Sequence, residues 1–105
     1  MDYQAITFDI QNDVGVITLN RPEVMNALNS TMRHEITHAI QKAEVEARAI
    51  VMTGAGRSFC SGQDLADGGS AAALDLEGTL RDEYVPMLEA IFDCKVPTIC
   101  AVNGP

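Results

Sequence analysis

Ala49-Ile50-Val51-Met52-Thr53-Gly54 is a short apolar, partly β-branched run closed by a glycine, and it reads as a buried strand. On its N-terminal side the pattern is helical. Met32, Ile36, Ala39, Ile40 and Ala43 fall at i, i+4, i+7, i+8 and i+11, one apolar stripe, with Asn29 as a good N-cap. Before that helix, Ile6, Phe8 and Ile10 alternate with Thr7 and Asp9, the period-2 mark of a strand. Gln11-Asn12-Asp13 is a turn cluster, and Val14 to Leu19 resumes as a second strand, so the two form a hairpin.

On the C-terminal side, residues 54–78 are rich in Gly, Ser and Ala, and the middle, Asp67 to Ala73, reads as mobile. A second amphipathic helix follows, with Leu80, Tyr84, Met87, Leu88, Ile91 and Phe92 in phase. Pro86 should kink it or mark a new first turn. Thr98 to Val102 is a last buried-type strand, and Asn103-Gly104-Pro105 a turn. The order is β-β-α-β-loop-α-β, which implies parallel pairing through helical crossovers. The fold class is α/β.

The chain of 105 residues has room for one domain, spanning 1–105. Folding at this size buries roughly 65% of the unfolded surface, so a core is possible but not generous. At 47% apolar and 21% charged the composition is globular. No apolar run is long enough for a bilayer span. The start Met1-Asp2-Tyr3-Gln4 has no basic or apolar leader, so a cytoplasmic protein without membrane attachment is expected. The net charge of −8, with seven scattered Lys and Arg, speaks against nucleic acid. Three cysteines (Cys60, Cys94, Cys100), none in a CxxC pair, read as reduced thiols.

Some motifs fail on inspection. His34-Glu35-Ile36-Thr37-His38 satisfies H-E-x-x-H, the zinc-protease helix. At 100° per residue from Met32 the apolar stripe centres near ~25°, His34 lies at ~200° and His38 at ~240°. Both imidazoles then face solvent, and Gln41 and Glu44 hold the offsets of a third ligand. No metal is expected. Gly54-Ala55-Gly56-Arg57-Ser58-Phe59 matches neither phosphate-loop pattern, and Ser61 lacks the glycines of a nucleophile elbow. What remains is Gly56 to Leu65, directly after the strand at 49–54. Its small residues allow a ligand close to the backbone. Gln63-Asp64-Leu65 could open a helical turn whose free N–H groups stabilise an oxyanion.

Four segments, in this order and spacing, carry a resemblance. They are Val16-Ile17-Thr18-Leu19-Asn20-Arg21-Pro22 with Asn26-Ala27-Leu28; Ile50-Val51-Met52-Thr53-Gly54; Phe59-Cys60-Ser61-Gly62-Gln63-Asp64-Leu65; and Val96-Pro97-Thr98-Ile99-Cys100-Ala101-Val102-Asn103-Gly104. The chain resembles the N-terminal part of the enoyl-CoA hydratase/isomerase (crotonase) family. The resemblance implies a crotonase-like ββα spiral, here its N-terminal part only, incomplete at the C-terminus. It implies an oxyanion hole whose first donor is the Gln63 backbone N–H. Met25, Ala27, Ser61, Asp64 and Leu65 would line the acyl-CoA cleft. It implies no cofactor beyond the coenzyme A of the substrate, and a homotrimer or dimer of trimers. The Gln63-Asp64-Leu65 triplet, with Tyr84 and Pro86, looks closest to the ring-epoxide isomerases of phenylacetyl-CoA catabolism. The family's second oxyanion donor and its acid/base carboxylates correspond to positions beyond Gly104, so the 105 residues alone are expected to be inactive. The competing reading is a fragment that binds acyl-CoA, or assembles with like subunits, without catalysis.

Overall fold

A computed structural model describes residues 2–66 and 75–105; the stretch expected to be mobile, Asp67 to Ala73, lies outside them. The hairpin forms as read. Strands β1 (Ile6–Gln11) and β2 (Val14–Leu19) pair antiparallel, from Ile6 opposite Leu19 to Gln11 opposite Val14. Asn12 and Asp13 both take positive φ, 52° and 67°, as a two-residue turn of the right twist requires. Short polar side chains make that conformation tolerable.

Helix α1 (Ser30–Glu46) carries the chain back so that β3 (Ala49–Gly54) joins β2 in parallel, Val14 opposite Ala49. The Asn29 side chain accepts the Met32 N–H at 2.9 Å, capping α1. All five stripe residues of α1 are buried, and they pack on Ile6, Ile17, Leu19 and Ile50 of the sheet. Burial of these aliphatic side chains is the main source of stability, at roughly 1.5–3 kcal/mol for each full-sized one. Gly15 lets α1 approach closely, since a Cβ there would stand 3.2 Å from Ala43 Cβ. Strand β3 is less deeply covered than its sequence implied: only Ile50 is fully buried.

The second crossover differs from a single kinked helix. A short α2 (Leu76–Thr79) runs into a π turn over Leu80–Tyr84, then into α3 (Val85–Phe92). Pro86 has no N–H for the Asp82 carbonyl, and its ring crowds that turn. The backbone widens instead, and the Val85 N–H reaches the Leu80 carbonyl. Of the expected stripe Met87 is buried, whereas Leu80, Leu88 and Phe92 are exposed.

Strand β4 (Thr98–Cys100) pairs parallel with β3, Ile50 opposite Thr98, completing the order β1-β2-β3-β4. It is shorter than the expected Thr98–Val102 and exposed along its length. Asn103 to Pro105 is not a turn. Asn103 Oδ1 accepts the Gly54 N–H at 3.1 Å, its amide reaches the Gly56 carbonyl at 3.1 Å, and the Phe59 N–H donates to the Pro105 carbonyl at 2.6 Å. This stretch is stitched along the loop that follows β3.

Candidate functional site

Two loops meet at the C-terminal ends of β2 and β3. The first, after β2, is shaped by Asn26. Its side chain has no exposed surface and its φ is 57°. Asn26 Oδ1 accepts the Arg21 N–H at 2.8 Å, and its amide donates to the carbonyls of Ala55 (3.0 Å) and Ser58 (2.9 Å). One buried side chain thus ties the Arg21–Leu28 loop to the loop after β3, pairing backbone groups at the core of both.

The second loop runs alongside it through a single parallel bridge between Leu28 and Gln63. The Leu28 N–H donates to the Gly62 carbonyl at 2.7 Å, and the Leu28 carbonyl accepts the Asp64 N–H at 2.9 Å. The Ser61 N–H donates to the Met25 carbonyl at 3.0 Å. Gly62 takes a φ of 105°, which an L side chain adopts only with strain. Parallel bridging leaves the N–H of the central residue on the far side of its strand. Among the described residues the Gln63 N–H donates to nothing. Gln63 therefore sits in a bridge and not at the opening of a helical turn; backbone pairing with Leu28 decides this, and the turn begins only at Leu65.

The remaining sequence-predicted residues gather around the same two loops. Ala27 is buried, Met25 and Ser61 are exposed, and Leu65 is almost fully so at 92%. Asp64 faces inward: its carboxylate accepts the Ala66 N–H at 2.9 Å and pairs with Arg21 Nη1 at 3.0 Å. That backbone N–H, together with the Arg21 guanidinium, holds the Asp64 carboxyl below its ordinary range. Arg21 also donates to the Ala27 carbonyl at 2.6 Å.

Sequence reading missed the group behind Gln63. Arg33, on α1, is 1% exposed. It meets Glu83 Oε1 through Nε at 2.8 Å and Nη2 at 2.7 Å, and through Nη1 reaches the Leu28 carbonyl (3.0 Å) and Gln63 Oε1 (3.1 Å). Its guanidinium lies 4.6 Å from the centroid of the Tyr84 ring, whose hydroxyl also donates to Gln63 Oε1. Glu83 and Tyr84 both come from the π turn. The available signal was Arg33 at the margin of the apolar stripe of α1, a cation that burial would oblige to pair. An apolar hollow of about 270 Å³, lined by Gln63, Leu76, Thr79, Leu80 and Tyr84, adjoins this group. A second, of about 150 Å³, lies between Leu19, Leu28, Phe59, Cys60, Met87 and Cys100.

The H-E-x-x-H segment is engaged differently from its helical count. His34 is exposed, as expected, but His38 is half-buried, its Nδ1 2.8 Å from the Tyr3 hydroxyl. Residues 3–5 run along α1 because the buried Glu35 carboxylate gathers the N–H groups of Gln4 and Ala5. Burial, then the charge of Glu35, raises the Tyr3 phenol above its usual pKa. Among the described residues no group of three or more His, Cys, Asp or Glu could hold a metal ion, no helix is long and apolar enough to cross a membrane, and all three cysteines are free.

The sequence pattern of the enoyl-CoA hydratase/isomerase family matches residues 9–105. Over 104 residues the chain is 59% identical to a protein of Rhodobacter capsulatus named probable enoyl-CoA hydratase, covering 99% of the chain and 40% of the relative. It is 36% identical over 106 residues to the 1,2-epoxyphenylacetyl-CoA isomerase of Escherichia coli, covering 96% and 40%. The crystal structure of an enoyl-CoA hydratase/isomerase from Pseudoalteromonas atlantica superposes with a TM-score of 0.80 at 30% identity, covering 97% of the chain and 40% of that structure. The chain thus spans about 40% of the length of the relatives it matches.

Proposed function

Because the chain belongs to the enoyl-CoA hydratase/isomerase family, we propose that it supplies one half of an acyl-CoA thioester site, with the Gln63 N–H as one oxyanion donor. The observation that carries this is the bridge to Leu28, which occupies the flanking peptides and leaves the Gln63 N–H without a partner among the described residues. A fixed backbone donor aimed at a thioester oxygen stabilises the enolate that forms when the α-carbon loses a proton or when water adds to the β-carbon of a 2-enoyl thioester. Such a donor contributes about 3–4 kcal/mol to the transition state. The hollow beside Gln63, walled by Leu76, Thr79 and Leu80, suits an apolar acyl chain, with Met25, Ala27, Ser61, Asp64 and Leu65 along the cleft.

In this reading the proton chemistry belongs to residues outside this chain. Three carboxylates around the two loops are occupied: Asp64 by Arg21 and the Ala66 N–H, Glu83 by Arg33, Glu35 by backbone N–H groups. Asp64, whose carboxyl is held below its ordinary range, is a poor proton donor. That occupancy also favours a second reading for the 105 residues alone: they bind acyl-CoA or assemble with like subunits without catalysing anything. For the whole protein the proposal includes a soluble, cytoplasmic homotrimer or dimer of trimers with no cofactor beyond coenzyme A in the substrate. Relatives 36% identical to this chain are named probable enoyl-CoA hydratase and 1,2-epoxyphenylacetyl-CoA isomerase, and hydration of a 2-enoyl-CoA is the reaction proposed first.

The test is an assay of the full-length protein with short 2-enoyl-CoA and 3-enoyl-CoA thioesters, following loss or gain of conjugated thioester absorbance. Turnover of either supports the reading. Tight binding with no turnover of any acyl-CoA makes the protein a binder, and neither binding nor turnover removes the thioester site altogether.

A further inference from the structure

We propose that Arg33 is the positioning residue of this site: its guanidinium locks the Leu28–Gln63 bridge from behind, so that the Gln63 N–H is held outward. The claim rests on the thioester reading for its purpose but on independent geometry for its substance. Arg33 Nη1 reaches the Leu28 carbonyl, the same oxygen that accepts the Asp64 N–H, and also the Gln63 side-chain oxygen. The cation therefore holds both sides of the bridge at one point. Its other edge is fixed by Glu83, through two nitrogens on one carboxylate oxygen, and its face lies against Tyr84. A cation this buried is retained only where it is paired and hydrogen-bonded, and its partners Leu28, Gln63, Glu83 and Tyr84 lie in the site or in the π turn.

The fork matters as much as the charge. A planar guanidinium can serve Glu83 from one edge and two oxygens from the other; an ammonium is a compact point charge without that shape. The π turn is part of the device, because it brings the consecutive residues Glu83 and Tyr84 to one cation. Arg33 touches no reacting atom in this arrangement. It acts through the position of a peptide, where misplacement by about 1 Å costs up to roughly a hundredfold in rate.

The experiment compares wild type with Arg33→Lys in the full-length protein. Expected is a kcat lower by roughly 10- to 100-fold with KM within about threefold. Amide hydrogen exchange at Leu28 and Asp64 should quicken roughly tenfold while Ile17 and Ile50 keep their rates, a local opening and not a global one. Unchanged kcat, or exchange that quickens everywhere alike, overturns the proposal. Exchange needs no substrate, so it decides the positioning claim even if the wild type turns over no thioester. Should Arg33→Lys fail to fold, Glu83→Gln is measured in its place, with the same local exchange expected and its absence equally fatal.

Discussion

Leu28 and Gln63 face each other across one parallel bridge, the Leu28 N–H on the Gly62 carbonyl and the Leu28 carbonyl on the Asp64 N–H. Both hydrogen bonds flank Gln63 and neither uses its own N–H. Gln63→Pro thus removes a donor on which no described fold contact depends, and kcat in the full-length protein should fall roughly 10²- to 10³-fold. Gln63→Ala keeps the donor and loses a side-chain acceptor for Arg33 and Tyr84 and a long side-chain bond to the Asp64 carbonyl, so less than a tenfold loss is expected. Equal losses in two folded variants would mean that the side chain, and not the amide, does the chemistry.

Asn26 satisfies one backbone N–H and two backbone carbonyls from inside the protein. Asn26→Ala strands the Arg21 N–H and the Ala55 carbonyl, leaves the Ser58 carbonyl to the Asn103 amide at 3.3 Å, and places a less tolerant residue at positive φ. Stability measured by urea unfolding should drop by roughly 2–4 kcal/mol. A drop under about 1 kcal/mol would show that water replaces the amide without cost.

Asp64 has a depressed folded-state pKa, first from the Ala66 N–H and then from Arg21. A carboxyl depressed on folding contributes stability that is fully present above its unfolded pKa of about 3.9 and disappears as pH falls through the folded value. Wild type should therefore exceed Asp64→Asn in stability at neutral pH, and the gap should close below pH ~4. A gap constant from pH 7 to 3 would contradict the pairing with Arg21.

His34 and His38 should carry no functional metal. His38 Nδ1 is engaged by Tyr3, and Glu35 by two backbone N–H groups. Metal analysis of protein purified without a histidine tag is expected to find well under one zinc per chain. Stoichiometric zinc lost together with activity in His38→Ala would displace the thioester reading.

Period-2 alternation in β1, the resumption of a second strand after the turn cluster, the α1 stripe and the Asn29 cap were legible from sequence because each is set by neighbours a few residues away. The order of those elements was enough to require parallel crossovers, and residues 56–65 marked the loop where a ligand could approach the backbone. Three features were decided only by tertiary contacts. Gln63 sits in a bridge because Leu28, thirty-five positions earlier, supplies its partner groups. His38 leaves the solvent face because Glu35 draws the N-terminal segment across α1. Arg33, Glu83 and Tyr84 become one cluster because Pro86 forces a wider turn, and no helical count starting from α1 could place that turn against it. Periodicity measures angles around a single axis. Which two axes meet, and with what register, depends on desolvating a charge where its partner can reach it.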